Sequence, residues 1–341
     1  MSRRGRPVAG DLSGAVADLG IFIPLAASLV LVNGLSGGMV LVGAGALLIA
    51  AGARFGIPFP VQPLKALTAV AVARRLPPEM IATAGLMIGL ALLAFSARGM
   101  ADRIARWFSK TVIRALQCGV GLLLLVTAVT LAVDPPAVFG EALPTGPSLM
   151  SLQLPPLPPL SMLIPALTLL VLPQLPLTFG NAVVAVSDVA HRSYGERAAA
   201  VTPTAVCRTA GFGNVISALV GGMPMCHGSS GLTAHYRLGA RTAAMNYGLG
   251  GAFILLGVFF GDQAPAVLGQ VPPLVLAVLL AYAGLRHAWL AADLRGVRLV
   301  IAVVAAVIGA YLGNLLITML VALAAEWLAG RVAARRSVIA A

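Results

Sequence analysis

The stretch Gly221–Arg241, GGMPMCHGSSGLTAHYRLGAR, interrupts a sequence that is otherwise compatible with lipid. Paired glycines, a proline, a histidine and two adjacent serines stand where an apolar helix would otherwise continue. A bilayer core tolerates irregular backbone only where protein buries it or where it lines a cavity. The stretch therefore reads as a broken membrane element, with a helix restarting at about His227. Such a restart aims unpaired N–H groups and the positive end of the helix dipole at whatever occupies the break, and so favours an anion there.

Outward from this break the chain is membrane material. It is 59% hydrophobic and only 10% charged, with a mean hydropathy of +0.97, whereas soluble domains carry about 25% charged residues. Apolar runs recur near the roughly 20 residues needed to cross about 30 Å of hydrocarbon. The net charge of +12 is scattered between those runs, which fits retention of basic loops in the cytoplasm and argues against a nucleic-acid-binding face. Cys118, Cys207 and Cys226 have neither the spacing nor the even count of a disulfide framework or a zinc site. Arg3, Arg4 and Arg6 precede an apolar segment that contains Asp11 and Asp18 and lacks a small-residue cleavage site, so an uncleaved first helix is expected.

The apolar runs predict spans at 11–32, 37–54, 61–75, 79–97, 111–133, 161–187, 203–221, 225–238, 241–260, 264–284, 297–312 and 314–330. That is an all-α integral membrane protein of about twelve spans, within a range of roughly 10–14. The runs 61–75 and 225–238 are too short to cross as ordinary helices, and both begin with proline-containing irregular sequence, so they read as half-helices. The two halves share an order of elements: a polar-interrupted helix (Asp18 to Pro24; Gln174 to Asn181), a plain helix, then a Pro-initiated short segment. This predicts an inverted repeat, 1–133 and 161–330, separated by an extracytoplasmic Pro-rich loop at 134–160 and followed by a cytoplasmic tail at 331–341. Matching breaks in two halves point to a transporter site at the bilayer midplane. With both termini cytoplasmic in a cell (inner) membrane, only Lys65, Arg74 and Arg75 fall off the basic side. Trp107, Trp289 and Trp327 then lie near the cytoplasmic interface.

In IPFPVQPLKAL (57–67), three prolines within six residues predict extended chain followed by a helix beginning near Pro63. Lys65 then occupies the first turn, where it opposes the helix dipole unless an anion or a carboxylate is close. Pairing with Asp18 and snorkelling to water are the structural alternatives, and an ionisable group at this depth is a functional candidate. The second half-helix begins within Cys226-His-Gly-Ser-Ser-Gly231, whose glycines permit close approach and whose hydroxyls donate to oxygen. Gly221, Gly222 and Gly228 also suit close helix packing. Gln174 and Thr178 are expected to line the cavity beside a backbone distorted by Pro173 and Pro176, with Asn181 as a further neutral donor; the alternative is hydrogen bonding across helices. Asp18 and His227 are the candidates for proton coupling, and Asp11 reads as interfacial. HExxH, GxSxG and Walker patterns are missing, so neither an enzyme nor a nucleotide-driven pump is expected. Cofactors and metals are not expected either, since Cys226 and His227 are adjacent rather than spaced as ligands.

The segments GDLSGAVADLGIFIPLA (10–26), PFPVQPLKALTAVA (58–71), PQLPLTFGNAVVAV (173–186) and MPMCHGSSGLTAHYRLGAR (223–241) resemble the molybdate transporter family, a branch related to the sulfate permeases. The resemblance covers about the first 75 residues and about 170–245, while the connecting helices match only in being apolar. It implies a core and a gate domain built from inverted repeats, as in uracil permease and sulfate permease relatives, with substrate held between the two short helices. It carries Gln62 and Lys65 to one side of the site, and His227, Gly228, Ser229 and Ser230 to the other. Members of the permease fold have seven plus seven spans, and here the Pro-rich 134–160 stretch stands where two helices would be. The expected function is secondary active import of a tetrahedral oxyanion, molybdate first and sulfate second. An anion channel is the competing class, and a nucleobase or organic-anion carrier a third. The expected partners are the oxyanion, the lipid bilayer and a coupling proton, with a homodimer left open.

Overall fold

The computed structural model describes residues 5–97, 100–105, 109–135, 146, 149–150 and 159–339. Most of the 134–160 loop, Glu141 and Trp107 lie outside the described residues, as does the side chain of Asp18. The described chain is helical apart from two very short strands. It opens with α1 (Gly5–Asn33), α2 (Gly37–Phe55), strand β1 (Gln62–Pro63), α3 (Lys65–Ala73), α4 (Pro78–Phe95), α5 (Met100–Ala105) and α6 (Lys110–Val133). After the loop, one helical column runs from 160 to 198, made of α7 (Leu163–Ala166), α8 (Leu172–Leu177) and α9 (Val186–Tyr194) joined by π-helical turns. Then come α10 (Pro203–Val220), β2 (Met225–Cys226), α11 (Ser229–Arg237), α12 (Ala244–Phe260), α13 (Ala264–Gly269), α14 (Pro273–Trp289), α15 (Val297–Tyr311) and α16 (Leu315–Ile339).

Seven of the described helices are long and apolar enough to cross a membrane, and Phe22–Asn33 and Val297–Tyr311 form shorter apolar helices. The two expected half-helices are both present, as α3 and α11, each of nine residues. Two boundaries differ from expectation. The span read at 264–284 is divided into α13 and α14, because Pro272 and Pro273 cannot donate to a continuing ladder and Pro273 instead starts a new helix. The stretch 331–341, expected to be a tail, continues α16 in helical conformation to Ile339.

Helix packing separates the fold into two groups. In one, α2 lies along α12 and α4 along α10, with α1 against α11; in the other, α6 is surrounded by α14, α15 and α16. Each main pair meets at reciprocal glycines: Gly45 with Gly250, Gly89 with Gly211, Gly121 with Gly284. A Cβ on any of these six would drive into the carbonyl oxygen of its partner glycine. Small residues thus let backbones approach where lipid supplies no hydrophobic drive between helices. The half-helix α3 packs against α6 and bridges the two groups.

Candidate anion-binding site

The two broken segments meet. β1 and β2 pair antiparallel, Gln62 opposite Cys226 and Pro63 opposite Met225, and Leu64 N–H adds a bond to Pro224 O at 3.0 Å. The helices α3 and α11 begin directly after these strands, so their N-terminal ends start from one shared ribbon. Extended chain inside a membrane protein needs partners for its peptide groups, and two asparagines supply them. Asn214 on α10 accepts from Met225 N–H and donates to Met225 O, both at 2.8 Å. Asn246 on α12 does the same for Phe59, at 2.8 and 2.7 Å. Both asparagines are fully buried.

At the head of α3, Lys65 is buried, and its Nζ donates to Gln62 Oε1 at 2.9 Å. No carboxylate lies within ion-pair reach of Lys65 among the described residues. Gln174 accepts from Leu67 N–H at 3.0 Å, so it caps the first turn of α3, and it donates to Thr178 Oγ1 at 3.1 Å. The prolines of α8 explain how it reaches there. Pro173 and Pro176 lack N–H groups, the helical ladder slips into π turns on both sides, and the second of these, Thr178–Ala185, carries Asn181. Across the ribbon, Gly228 is the N-cap residue of α11, and Ser229 Oγ donates to Asn181 Oδ1. Gly228 and Gly231 are needed for fit: a Cβ on Gly228 would lie 2.7 Å from Gln62 Oε1, and one on Gly231 would collide with Gln62 Nε2.

Two adjoining spaces lie at this junction. A chamber of about 20 Å³ is lined by Lys65, Gln174, Asn181, Cys226, Gln117 and His287 among others; that is room for about one water. It adjoins a cavity of about 840 Å³ that shares Gln117, Asn181 and His287 with it. The larger space continues past Ser229, Ser230 and Thr233 of α11 to Lys110 and Arg114 of α6 and Arg286 of α14. At the opposite end of α6, which is about 36 Å long, a cleft of about 60 Å³ lies beside Arg75 and Asp134. Among the described residues, the larger cavity has a basic rim at the Lys110 end of α6. Asp293 holds two of that rim's cations, accepting from Arg114 at 2.6 and 2.9 Å and pairing with Lys110 at 2.9 Å.

Of the residues singled out by sequence, Lys65 and Gln174 line the small chamber, and Ser229 and Ser230 the larger cavity. Gln62, Thr178 and Gly228 stand one layer behind, supporting Lys65, Gln174 and the strand pairing respectively. His227 lines neither the chamber nor the larger cavity. It is fully buried, with Nδ1 2.8 Å from Pro60 O, Nε2 3.1 Å from Thr209 Oγ1, and its ring edge-on to Phe59. It braces the two broken segments against one another. Asp11, expected to be merely interfacial, accepts from Arg241 N–H, Thr242 N–H and Thr242 Oγ1 and so anchors the turn between α11 and α12. Gln117 and His287 were not found by sequence reasoning. Neither belongs to a local motif, although Arg286 precedes His287 and Arg114 donates to Gln117 Oε1 at 2.7 Å, and only the packing of α6 and α14 brings them to the site.

A buried pair of half-helices beside a cavity with a basic rim lies at the centre of a polytopic membrane fold. That fold superposes on the transmembrane domain of a cyanobacterium bicarbonate transporter, BicA, with a TM-score of 0.64 at 19% identity, covering 92% of this chain and 98% of that one. The murine anion transporter Slc26a9 in its inward-facing state gives 0.62 at 12% identity, over 96% of this chain and 69% of that one. By sequence, the model of the family described as molybdate transporter of the MFS superfamily matches residues 10–124 and 166–286, and the chain belongs to this molybdate transporter family. Relatives include molybdate transporter 2 of Arabidopsis thaliana, 28% identical over 89% of this chain and 84% of the relative. Molybdate transporter 1 of the same plant is 25% identical over 83% and 80%.

Proposed function

We propose that the chain is a secondary active transporter that imports a tetrahedral oxyanion, molybdate before sulfate, bound between the N-terminal ends of α3 and α11. The observation that carries this reading is Lys65: a buried cation at a helix N-terminus, held by a neutral amide, beside a chamber rimmed with neutral donors. A buried charge without a counter-charge is costly, and a bound dianion relieves that cost. The anion gains the α3 and α11 dipoles and the hydroxyls of Ser229 and Ser230 as well. The molybdate-transporting names of the relatives supply the substrate class.

In this reading 1–133 and 161–330 are inverted repeats, and the α1–α4 and α7–α12 group is the core that carries substrate. The α6 and α14–α16 group is the gate. The basic rim faces the cytoplasm, with both termini on that side, so the conformation is inward-facing. The chamber is too tight for an oxyanion as it stands, and loading requires a small separation of α6 and α14 from α3. Proteoliposomes holding the purified protein should take up molybdate saturably, with sulfate as a weaker competitor. Failure to take up any oxyanion would overturn the assignment. The alternative, an anion channel, is favoured by the shared use of helix dipoles; it would pass current and show no accumulation driven by an imposed pH gradient.

A further inference from the structure

We infer that His287 is the residue that takes up a proton when the oxyanion binds, forming with Lys65 a pair of positive groups matched to a dianion. The inference rests on the oxyanion reading of the site and adds to it the group that links substrate to protons.

His287 lies on α14 and lines both the chamber and the larger cavity, the only histidine among the described residues to do so. Its Nδ1 is 2.9 Å from Ala283 O, one turn back on the same helix. A carbonyl only accepts, so Nδ1 carries the hydrogen, and Nε2 is the nitrogen left to face the cavity. In the neutral ring Nε2 presents a lone pair, which repels an oxyanion. Protonation converts that same atom into a charged donor at the point where the chamber and the cavity join.

The surrounding charges make this group the one that changes. From α3, Lys65 faces the chamber; from β2, Cys226 does so as a buried thiol. From α6, Lys110 and Arg114 line the outer cavity and are paired with Asp293, which follows α14 in the turn to α15, while Arg114 also donates to Gln117 Oε1 at 2.7 Å on the chamber wall. Arg286 and Tyr282 lie on α14 itself along the outer cavity. A further helix packed on α14 is α1, which carries Asp11, already engaged at Arg241 and Thr242; the side chain of Asp18 lies outside the described residues. Among the described residues, a dianion in the chamber thus meets one permanent cation on its wall, Lys65. A second positive group at His287 brings the loaded site to neutrality, whereas without it a net negative charge is left in a low-dielectric interior. By linkage, a proton that favours anion binding is itself bound more tightly once the anion is present.

The test is calorimetry of molybdate binding to the purified full chain between pH 6 and 8, in buffers that differ in ionisation enthalpy. The expected result is uptake of up to about one proton per molybdate, with affinity weakening by up to about tenfold per pH unit as pH rises towards the titration of the loaded site. His287→Gln keeps a neutral polar group and should bind with an affinity near the high-pH value of the natural protein, with no proton uptake and a flat pH profile. His287→Asn serves as the second variant if the first fails to fold. Anion binding with no proton uptake in the natural protein, or a folded variant that retains the full pH dependence, overturns the inference alone. A natural protein that binds neither molybdate nor sulfate at any pH overturns instead the oxyanion reading on which it rests.

Discussion

At Lys65, charge and position combine in a way that propensity disfavours. A cation in the first turn opposes the helix dipole, and burial adds to the penalty, yet its Nζ has Gln62 for a hydrogen-bond partner and no carboxylate among the described residues. Hydrogen bonds to charged groups contribute about 1.5–3 kcal/mol, so Lys65→Gln should weaken molybdate binding about 10- to 100-fold. Titration of the purified variant checks this. Asn214 acts on stability instead. Asn214→Ala leaves the buried N–H and C=O of Met225 unpaired, at about 1–3 kcal/mol for each group, and should lower the thermal unfolding midpoint as well as the affinity. A variant as stable as the natural protein would show that the ribbon does not depend on this clasp. Neither Asn214 nor Asn246 stood out in the sequence, because a single asparagine in an apolar helix reads equally as any interhelical bond. His227 did stand out, for its chemistry, but sequence cannot tell which side of a broken segment a ring occupies. Its two hydrogen bonds to Pro60 and Thr209 put it on the protein side.

The half-helices were the most legible elements. Three prolines in Pro58–Pro63 and the Gly-Gly-Met-Pro run at 221–224 leave the backbone no way to continue a ladder, so the positions of α3 and α11 followed to within a few residues. Their pairing through β1 and β2 was not legible, since two-residue strands carry no alternation pattern. The π turns around α8 followed from Pro173 and Pro176 in kind, though their registers did not. The end of α3 offers its own test. Arg75 adopts a left-handed φ of 49° while Leu76 N–H reaches back to Ala71 O, a helix-terminating motif that glycine fits best. Arg75→Val should destabilise by about 1–2 kcal/mol, whereas Arg75→Gly should be near neutral, since relief of strain is offset by the freer unfolded chain. Its ion pair with Asp134, at 3.7 Å and well exposed, contributes little. Thermal unfolding of both variants in one detergent checks the order. Arg74, which also fell off the basic side of the charge count, donates to the carbonyls of Leu312 and Gly313, just beyond the end of α15. It fastens the tip of the half-helix to the turn between α15 and α16.

Across the whole molecule, the helix content and the two-group packing follow from hydropathy and small residues, but the composition of the site does not. Lys65 and Gln174 come from elements with visible breaks, whereas Gln117 and His287 come from α6 and α14, whose sequences read as ordinary spans. The share that α6 and α14 contribute emerges only when the two groups are packed together. The proposed inward-facing state predicts that Ser230→Cys, placed on the larger cavity, reacts with a membrane-impermeant thiol reagent from the side of Lys110 and Arg114 and is protected by molybdate. The natural cysteines are all buried and should react slowly by comparison. Labelling from the opposite side alone would reverse the access assigned to this conformation. The location of the substrate itself is open to direct observation through the anomalous scattering of molybdenum in crystals of the protein grown with molybdate. A peak is expected between the first turns of α3 and α11, in contact with Lys65 and within reach of Ser229 and Ser230. A fully occupied peak elsewhere, with the Lys65 chamber empty, would contradict the assignment of the half-helix junction as the binding site.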